Sequence, residues 1–200
     1  MLEALYNIFM YLDYTIWYHL NATWHNAFLD AVVPYLRNQW TWAPLYLFLL
    51  VFMLQNFGWR GFIWCLIFLA TFGISDQLSA HWLKPIFNRI RPCNDPALSQ
   101  IVHIIVPCGS GKSFPSSHAA NHFSLGIFMA ITLKPYVKRV FWYAFLWAAA
   151  ISYAQVYVGV HFPMDVFFGG LLGALVGYFT GKTFNKFVPL SLTHTSHSTG

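Results

Sequence analysis

Charged side chains are scarce in this chain: they make up 8% of 200 residues, and only six are Asp or Glu. An ordinary soluble domain carries about 25% charged residues, so a fold that faces water on all sides is excluded. No basic stretch precedes an apolar run at the N-terminus, which reads Met-Leu-Glu, and a cleaved signal peptide is not expected. No linker, repeat or low-complexity block divides the chain, and the length suits one domain. Only the tail Ser191–Gly200 is polar and aperiodic, and it is expected to be mobile. What the chain has instead is 58% hydrophobic and 20% aromatic residues. This is the composition of an integral membrane protein.

The net charge of +5 raises the question of nucleic acid, and the placement of the cations answers it. Arg60, Lys134, Lys138, Arg139, Lys182 and Lys186 stand at the ends of apolar runs rather than on one solvated face. Nucleic acid is therefore not an expected partner; membrane lipids are. Five apolar stretches approach the roughly 20 residues that a bilayer span requires. They are Thr41–Phe57, Gly61–Leu83, His118–Leu133, Val140–Val160 and Asp165–Phe184, and the fourth holds no charge at all. In residues 1–40, Glu3, Asp13, His19, His25, Asp30 and Arg37 interrupt aromatic and aliphatic residues at helical intervals. That pattern predicts amphipathic helices lying in the interface. Taking Leu2–Leu20 as a sixth span would put Asp13 at mid-bilayer, which is costly.

The fold class expected is thus an all-α helical bundle of five transmembrane helices, six if Leu2–Leu20 also spans, preceded by interfacial amphipathic helices. The core runs over 41–187 with an outer loop at 84–117, and a polar tail follows at 188–200. With five spans the six cations named above fall on one side, which the positive-inside rule makes cytoplasmic. Arg37, Lys84, Arg89, Arg91 and Lys112 fall on the other, together with the turn Gly159–Met164. In a bacterium this is an inner-membrane protein whose chemistry faces the periplasm.

Three segments meet at that outer face. In Lys84-Pro-Ile-Phe-Asn-Arg-Ile-Arg91-Pro92 the two cations are seven apart, which on a helix puts them on one face about two turns from each other. Such a pair suits an anion larger than a carboxylate, although snorkelling at a helix end would look the same. Ser113-Phe-Pro115-Ser116-Ser117-His118 opens the third apolar helix with a cap and an early proline. The free N–H groups there favour an anion, and a plain cap would gain nothing from the titratable His118. Tyr157-Val-Gly-Val-His161-Phe-Pro163-Met-Asp165 opens the fifth. Asp165, four beyond His161, can fix the imidazole tautomer. A lone histidine at a helix start is usually structural. One with an oriented carboxylate, a second histidine and two cations has the make-up of a catalytic site.

These segments resemble the three signature motifs of the type 2 phosphatidic acid phosphatase superfamily. Lys84, Arg91 and Pro92 match the first. Pro115, Ser116 and His118 match the second, with Ser117 where the family has glycine. His161 and Asp165 match the third, but Ala154 and Gln155 occupy its Ser-Arg positions. The resemblance spans about Gly61–Phe184. It implies that His161 is the nucleophile, that Asp165 orients it, and that His118 protonates the leaving oxygen and then activates water. It also implies that Lys84, Arg91, Ser116 and Ser117 hold the phosphate oxygens, with Gln155 in place of a cation. No metal or other cofactor is implied. The substrate implied is a lipid-linked phosphate: phosphatidate, phosphatidylglycerophosphate, a polyprenyl diphosphate or a phosphorylated glycolipid. Gln155 leaves three outcomes: weaker activity, compensation by Arg89 or Lys112, or a site that only binds.

Asp76 and Gln77 lie inside the second apolar stretch, where a carboxylate is a functional candidate by default. At about 3.6 residues per turn Gln77 shares a face with Lys84, while Asp76 lies roughly 80° away. Asp76 could therefore steady Lys84 only indirectly, and a polar contact between helices is the simpler expectation. Of the three cysteines, Cys65 sits in an apolar run, whereas Cys93 and Cys108 share the outer loop and are a candidate disulfide. A metal site remains a competing class, since His118 and His122 are four apart and His161 with Asp165 could complete a set. The cations Lys84 and Arg91 argue against it.

Overall fold

The structure is a computed structural model that describes residues 2–193. Those residues form seven α-helices and no strand: α1 (Leu2–Trp17), α2 (Ala27–Arg37), α3 (Ala43–Asp76), α4 (Lys84–Phe87), α5 (Ser117–Leu133), α6 (Val140–Tyr157) and α7 (Pro163–Phe187). By length and hydropathy, Gln39–Phe87 and Pro163–Phe187 are each long and apolar enough to cross a membrane.

The long helix α3 is two helices in practice. Gly58 has φ 53° and ψ −129°, which a residue with a side chain rarely adopts, and the chain folds back there. The rings of Tyr46 and Phe68 consequently lie 6.5 Å apart across an antiparallel hairpin. Gly61 lies so close to the Met53 carbonyl that any Cβ would overlap it. Each of the five expected apolar segments is helical over most of its length. The second ends differently from expectation, because Gln77–Leu83 is a π-helical stretch. Wider π turns invalidate the 3.6-residue count used to place Gln77 and Asp76 relative to Lys84.

The chemistry-bearing ends are brought together by α5 and α7. Along α7 a glycine recurs every four residues, at Gly169, Gly173, Gly177 and Gly181, and this stripe faces α5. A Cβ on Gly173 would meet the Ala120 carbonyl oxygen at 2.0 Å, so the two backbones touch without side chains between them. The Ser116 N–H then donates to the Asp165 carbonyl at 2.8 Å, which ties the start of α5 to the first turn of α7. Opposite this pair, Trp64, Phe68 and Phe128 pack together in a core shared by α3 and α5.

Residues 2–40 are mostly helical, as expected, but Asp13 is 1% exposed, not an interfacial charge in water. The tail also departs from expectation over its described part. Arg60 donates to the Pro189 carbonyl and to Ser191, Tyr136 donates to the Leu190 carbonyl, and the Thr193 N–H donates to the Asn56 carbonyl. Residues 189–193 are thereby held against the Gly58 turn, because that turn leaves carbonyls without helical partners. The remainder of the expected mobile tail, 194–200, lies outside the described residues.

Candidate active site

The outer loop is stapled over the turn that carries His161. Cys93 and Cys108 are disulfide-bonded, with Cα atoms 5.9 Å apart. The Cys93 N–H donates to the Gly159 carbonyl at 3.0 Å, and Asn94 reaches the Gly109 carbonyl at 3.1 Å. Closing 15 residues removes about 3 kcal/mol of unfolded-chain entropy on the loop-closure account. What the staple holds in place is Arg91, whose Nε donates to the Gly111 carbonyl at 2.8 Å.

His161 is 1% exposed, and both its backbone N–H and that of Val160 donate to the Gln155 carbonyl at the end of α6. Its Nδ1 lies 3.3 Å from Ser113 Oγ and 3.5 Å from Asp165 Oδ2. Ser113 in turn donates to Asp165 Oδ2, and that oxygen also accepts the Phe162 N–H at 2.8 Å. With Nδ1 facing acceptors, the proton of the neutral ring belongs on Nδ1, and Nε2 presents its lone pair on the other side. There it meets Arg91 Nη1 at 3.4 Å. Burial pulls the His161 pKa down to about 4; Asp165 opposes the fall, while Arg91 and Lys84 add to it. The ring is therefore neutral at physiological pH, the state a nitrogen nucleophile needs.

Asp165 is fully buried, and its second oxygen accepts Arg89 Nη1 at 2.8 Å. Arg89 Nη2 bonds Asp13 at 2.6 Å, and the guanidinium lies 4.1 Å from the centre of the Phe162 ring. The other Asp13 oxygen accepts the Met164 N–H at 2.7 Å. A chain of Asp13, Arg89 and Asp165 thus fastens α1 to the entry of α7. Arg89 cannot also supply the charge that Gln155 lacks, because both its arms are spent on buried carboxylates. Lys112, the other proposed substitute, is exposed.

Lys84 and Arg91 do not share a helical face as their spacing suggested. Asn88 enters the left-handed region with φ 50° and ends α4, and Arg91 is in extended backbone. The fold nevertheless brings both cations within electrostatic reach of His161 and Asp165. Ser116 caps α5, its Oγ accepting the Ala119 N–H at 3.4 Å. Among the described residues the Ser117 hydroxyl beside it has no hydrogen-bond partner. Gln155 is fully buried, but its amide turns back to the Ile151 carbonyl at 3.4 Å and its Oε1 has no partner among the described residues. No hydrogen bond joins its side chain to Lys84, Arg91, His118 or His161 among the described residues. Asp76 accepts Asn121 Nδ2 at 2.9 Å, the polar contact between helices that was the simpler expectation.

His118 lines a cavity of about 620 Å³ between α3 and α5. Its walls are mostly apolar, from Leu49, Trp64, Phe68 and Phe72 among others, while Arg37, Ser117, His118 and Asp76 bring polar groups to it. His122 does not join His118 in a ligand set; its Nδ1 donates to the His118 carbonyl at 2.8 Å. Among the described residues the group able to hold a metal lies elsewhere, where His25, Asp30 and His103 converge. There His103 Nε2 is 3.0 Å from Asp30, which also accepts the Tyr157 hydroxyl at 2.7 Å.

Sequence reasoning missed Ser113, Asp13 and the true use of Arg89. A signal for the last two was present. In a chain with six acidic residues, a carboxylate in an apolar helix must find a cation.

The PAP2 superfamily matches this chain over residues 62–189. A lipid A 4'-phosphatase of Bacteroides thetaiotaomicron is 32% identical over 157 residues, covering 77% of this chain and 69% of that protein. Among solved structures, the PAP2-type phosphatidylglycerolphosphate phosphatase of Bacillus subtilis aligns with a TM-score of 0.70. It is 25% identical, over 90% of this chain and 87% of its own. Aquifex aeolicus LpxE aligns with a TM-score of 0.63 at 27% identity, over 82% of this chain and 92% of its own. The chain belongs to the PAP2 superfamily and is an integral membrane phosphatase.

Proposed function

We propose that this protein hydrolyses a phosphate ester or anhydride on a lipid through a phosphohistidine on His161. The observation that carries the reading is the two-sided setting of that ring. Nδ1 is held by Ser113 and Asp165, and Nε2 points at Arg91. In the first step the Nε2 lone pair attacks phosphorus in line, and the bond to the leaving oxygen breaks. His118 delivers a proton to that oxygen from the cavity side. Lys84, Arg91, the Ser116 and Ser117 N-terminus of α5 and the cationic surroundings offset charge on the equatorial oxygens. In the second step His118 takes a proton from water as the water oxygen attacks phosphorus, and the N–P bond breaks to release phosphate.

The apolar cavity beside His118 suits a leaving group that carries hydrocarbon, since it lies where the leaving oxygen would depart. Relatives that act on lipid A make a phosphorylated glycolipid the first substrate to try. The test is a panel of lipid phosphates presented to purified protein in detergent micelles: a phosphorylated glycolipid, a polyprenyl diphosphate, phosphatidylglycerophosphate and phosphatidate. Phosphate release from at least one, undiminished by EDTA, is expected. Release from none of them removes the reading, and release abolished by EDTA and restored by a divalent metal would move it to metal chemistry.

The reading includes five spans, with the amino-terminal helices at the interface and the site on the non-cytoplasmic face of a bacterial inner membrane. Arg60, the Lys134–Arg139 cluster, Lys182 and Lys186 on the opposite face support that orientation. A Ser110→Cys variant should react with a membrane-impermeant maleimide in cells whose inner membrane is intact. Labelling that requires lysis of that membrane would reverse the orientation.

A further inference from the structure

We propose that Arg37, carried on α2 outside the three motif segments, binds the substrate phosphate and supplies the positive charge that Gln155 does not; the proposal rests on the phosphatase reading above.

Register places Arg37 beside the C-terminal half of α6. Asp30 of α2 meets Tyr157 at 2.7 Å, and Trp42, just beyond α2, meets Trp147 with ring centres 5.8 Å apart. The segment 30–42 therefore runs antiparallel along α6, and Arg37 passes the stretch of α6 between Trp147 and Tyr157. Gln155 lies in that stretch. Val33, one turn before Arg37 and on the same side of α2, packs against Ala154, Tyr157 and Val158.

The electrostatics point the same way. Arg37 is half-buried and lines the cavity together with Ser117 and His118. It forms no ion pair and no side-chain hydrogen bond among the described residues. Burial lowers its pKa, and Arg91 lowers it further, so the two guanidiniums are within electrostatic reach of each other. Among the described residues Arg91 likewise has no carboxylate in hydrogen-bonding contact; its arms reach the Gly111 and Val160 carbonyls and His161. Like charges within electrostatic reach of each other, with Lys84 in reach of Arg91, in a chain where Arg89 and Asp13 are tightly paired, form a site short of an anion. A phosphoryl group bearing two negative charges would relieve that repulsion, and the planar guanidinium fork matches its oxygens. Arg37 lines the cavity beside His118, so its cover would extend to the oxygen that departs.

The experiment uses the full chain in detergent, with orthovanadate as the phosphate probe. Its affinity is read by the thermal shift it produces, which needs no turnover, and separately as inhibition of lipid-phosphate hydrolysis. Arg37→Ala should weaken vanadate binding at least tenfold and lower kcat/KM by a similar factor or more, with Arg37→Lys losing less. Adding Gln155→Arg to Arg37→Ala should recover part of both losses, because the two positions would serve one anion. Arg60→Ala, a cation remote from the site, is the control and should leave both unchanged. Vanadate affinity within twofold of the parent in Arg37→Ala, or an equal loss in Arg60→Ala, would overturn the proposal. If Arg37→Ala fails to fold, Arg37→Gln is read in its place by the same two measures. Absence of hydrolysis in the parent protein would remove the phosphatase reading while leaving the vanadate comparison able to decide the anion site.

Discussion

His161→Ala should abolish turnover, a loss on the order of 10,000-fold or more in kcat, because the nucleophile and the group it replaces act as one unit with their supports. Alanine fills less space than imidazole but leaves Ser113 and Asp165 bonded to each other, so the fold should survive. His118→Ala should cost less, about 100- to 10,000-fold, since acid catalysis is removed while the nucleophile stays. Asp165→Asn belongs between them. It keeps the shape, yet it loses the charge that holds the Nδ1 proton and that Arg89 answers. Steady-state rates on the best substrate of the panel check all three. Near-normal hydrolysis by His161→Ala would mean that the buried, oriented ring serves only structure.

Arg89→Ala should also be damaging, for a different reason. Asp13 is 1% exposed and Asp165 is fully buried, and Arg89 is the cation that compensates both at 2.6 and 2.8 Å. Removing one partner of a buried pair costs about 3–5 kcal/mol, much of it the charge left behind. The variant should melt at a clearly lower temperature and lose on the order of 100-fold in kcat as Asp165 and the α7 entry shift. Its vanadate affinity should fall far less than that of Arg37→Ala, since both arms of Arg89 are engaged by Asp13 and Asp165. Asp13→Ala alone should destabilise, and combining it with Arg89→Ala should cost less than the sum of the single changes, the mark of a coupled pair. If Arg89→Ala instead leaves stability unchanged and weakens vanadate binding tenfold, Arg89 is a phosphate ligand.

How much of this was legible in the sequence depended on how local the signal was. The starts of α5 and α7 could be read because Ser116, Pro163 and Asp165 carry their information within one turn. His161 and Asp165 are four residues apart, so their proximity followed from spacing alone. Lys84 and Arg91 were matched to a motif, yet the helix assumed between them ends at Asn88, and tertiary folding does what periodicity was expected to do. The π turns after Asp76 could not be foreseen, since no residue type there demands them. Arg89 and Asp13 are 76 residues apart, and Arg37 meets the site through the packing of α2 on α6. Pairings at such separations have no period, and only the scarcity of charge hinted that each buried ion needed a partner. The glycine stripe of α7 was visible as letters. Its meaning, backbone contact with α5, required knowing which helix lies against it.

The most direct test of the central claim is to catch the phosphoryl group on the protein. Substrate carrying a radioactive phosphate should be mixed briefly with the parent protein and quenched in alkali, which preserves phosphohistidine while removing phosphate esters of serine. The label should remain on the chain, disappear on acid treatment, and map to the peptide containing His161. It should be absent from His161→Ala and should accumulate in His118→Ala when a substrate with a good leaving group is used, because the second step then lacks its base. Label found on another residue, or equal label on His161→Ala, would contradict the account.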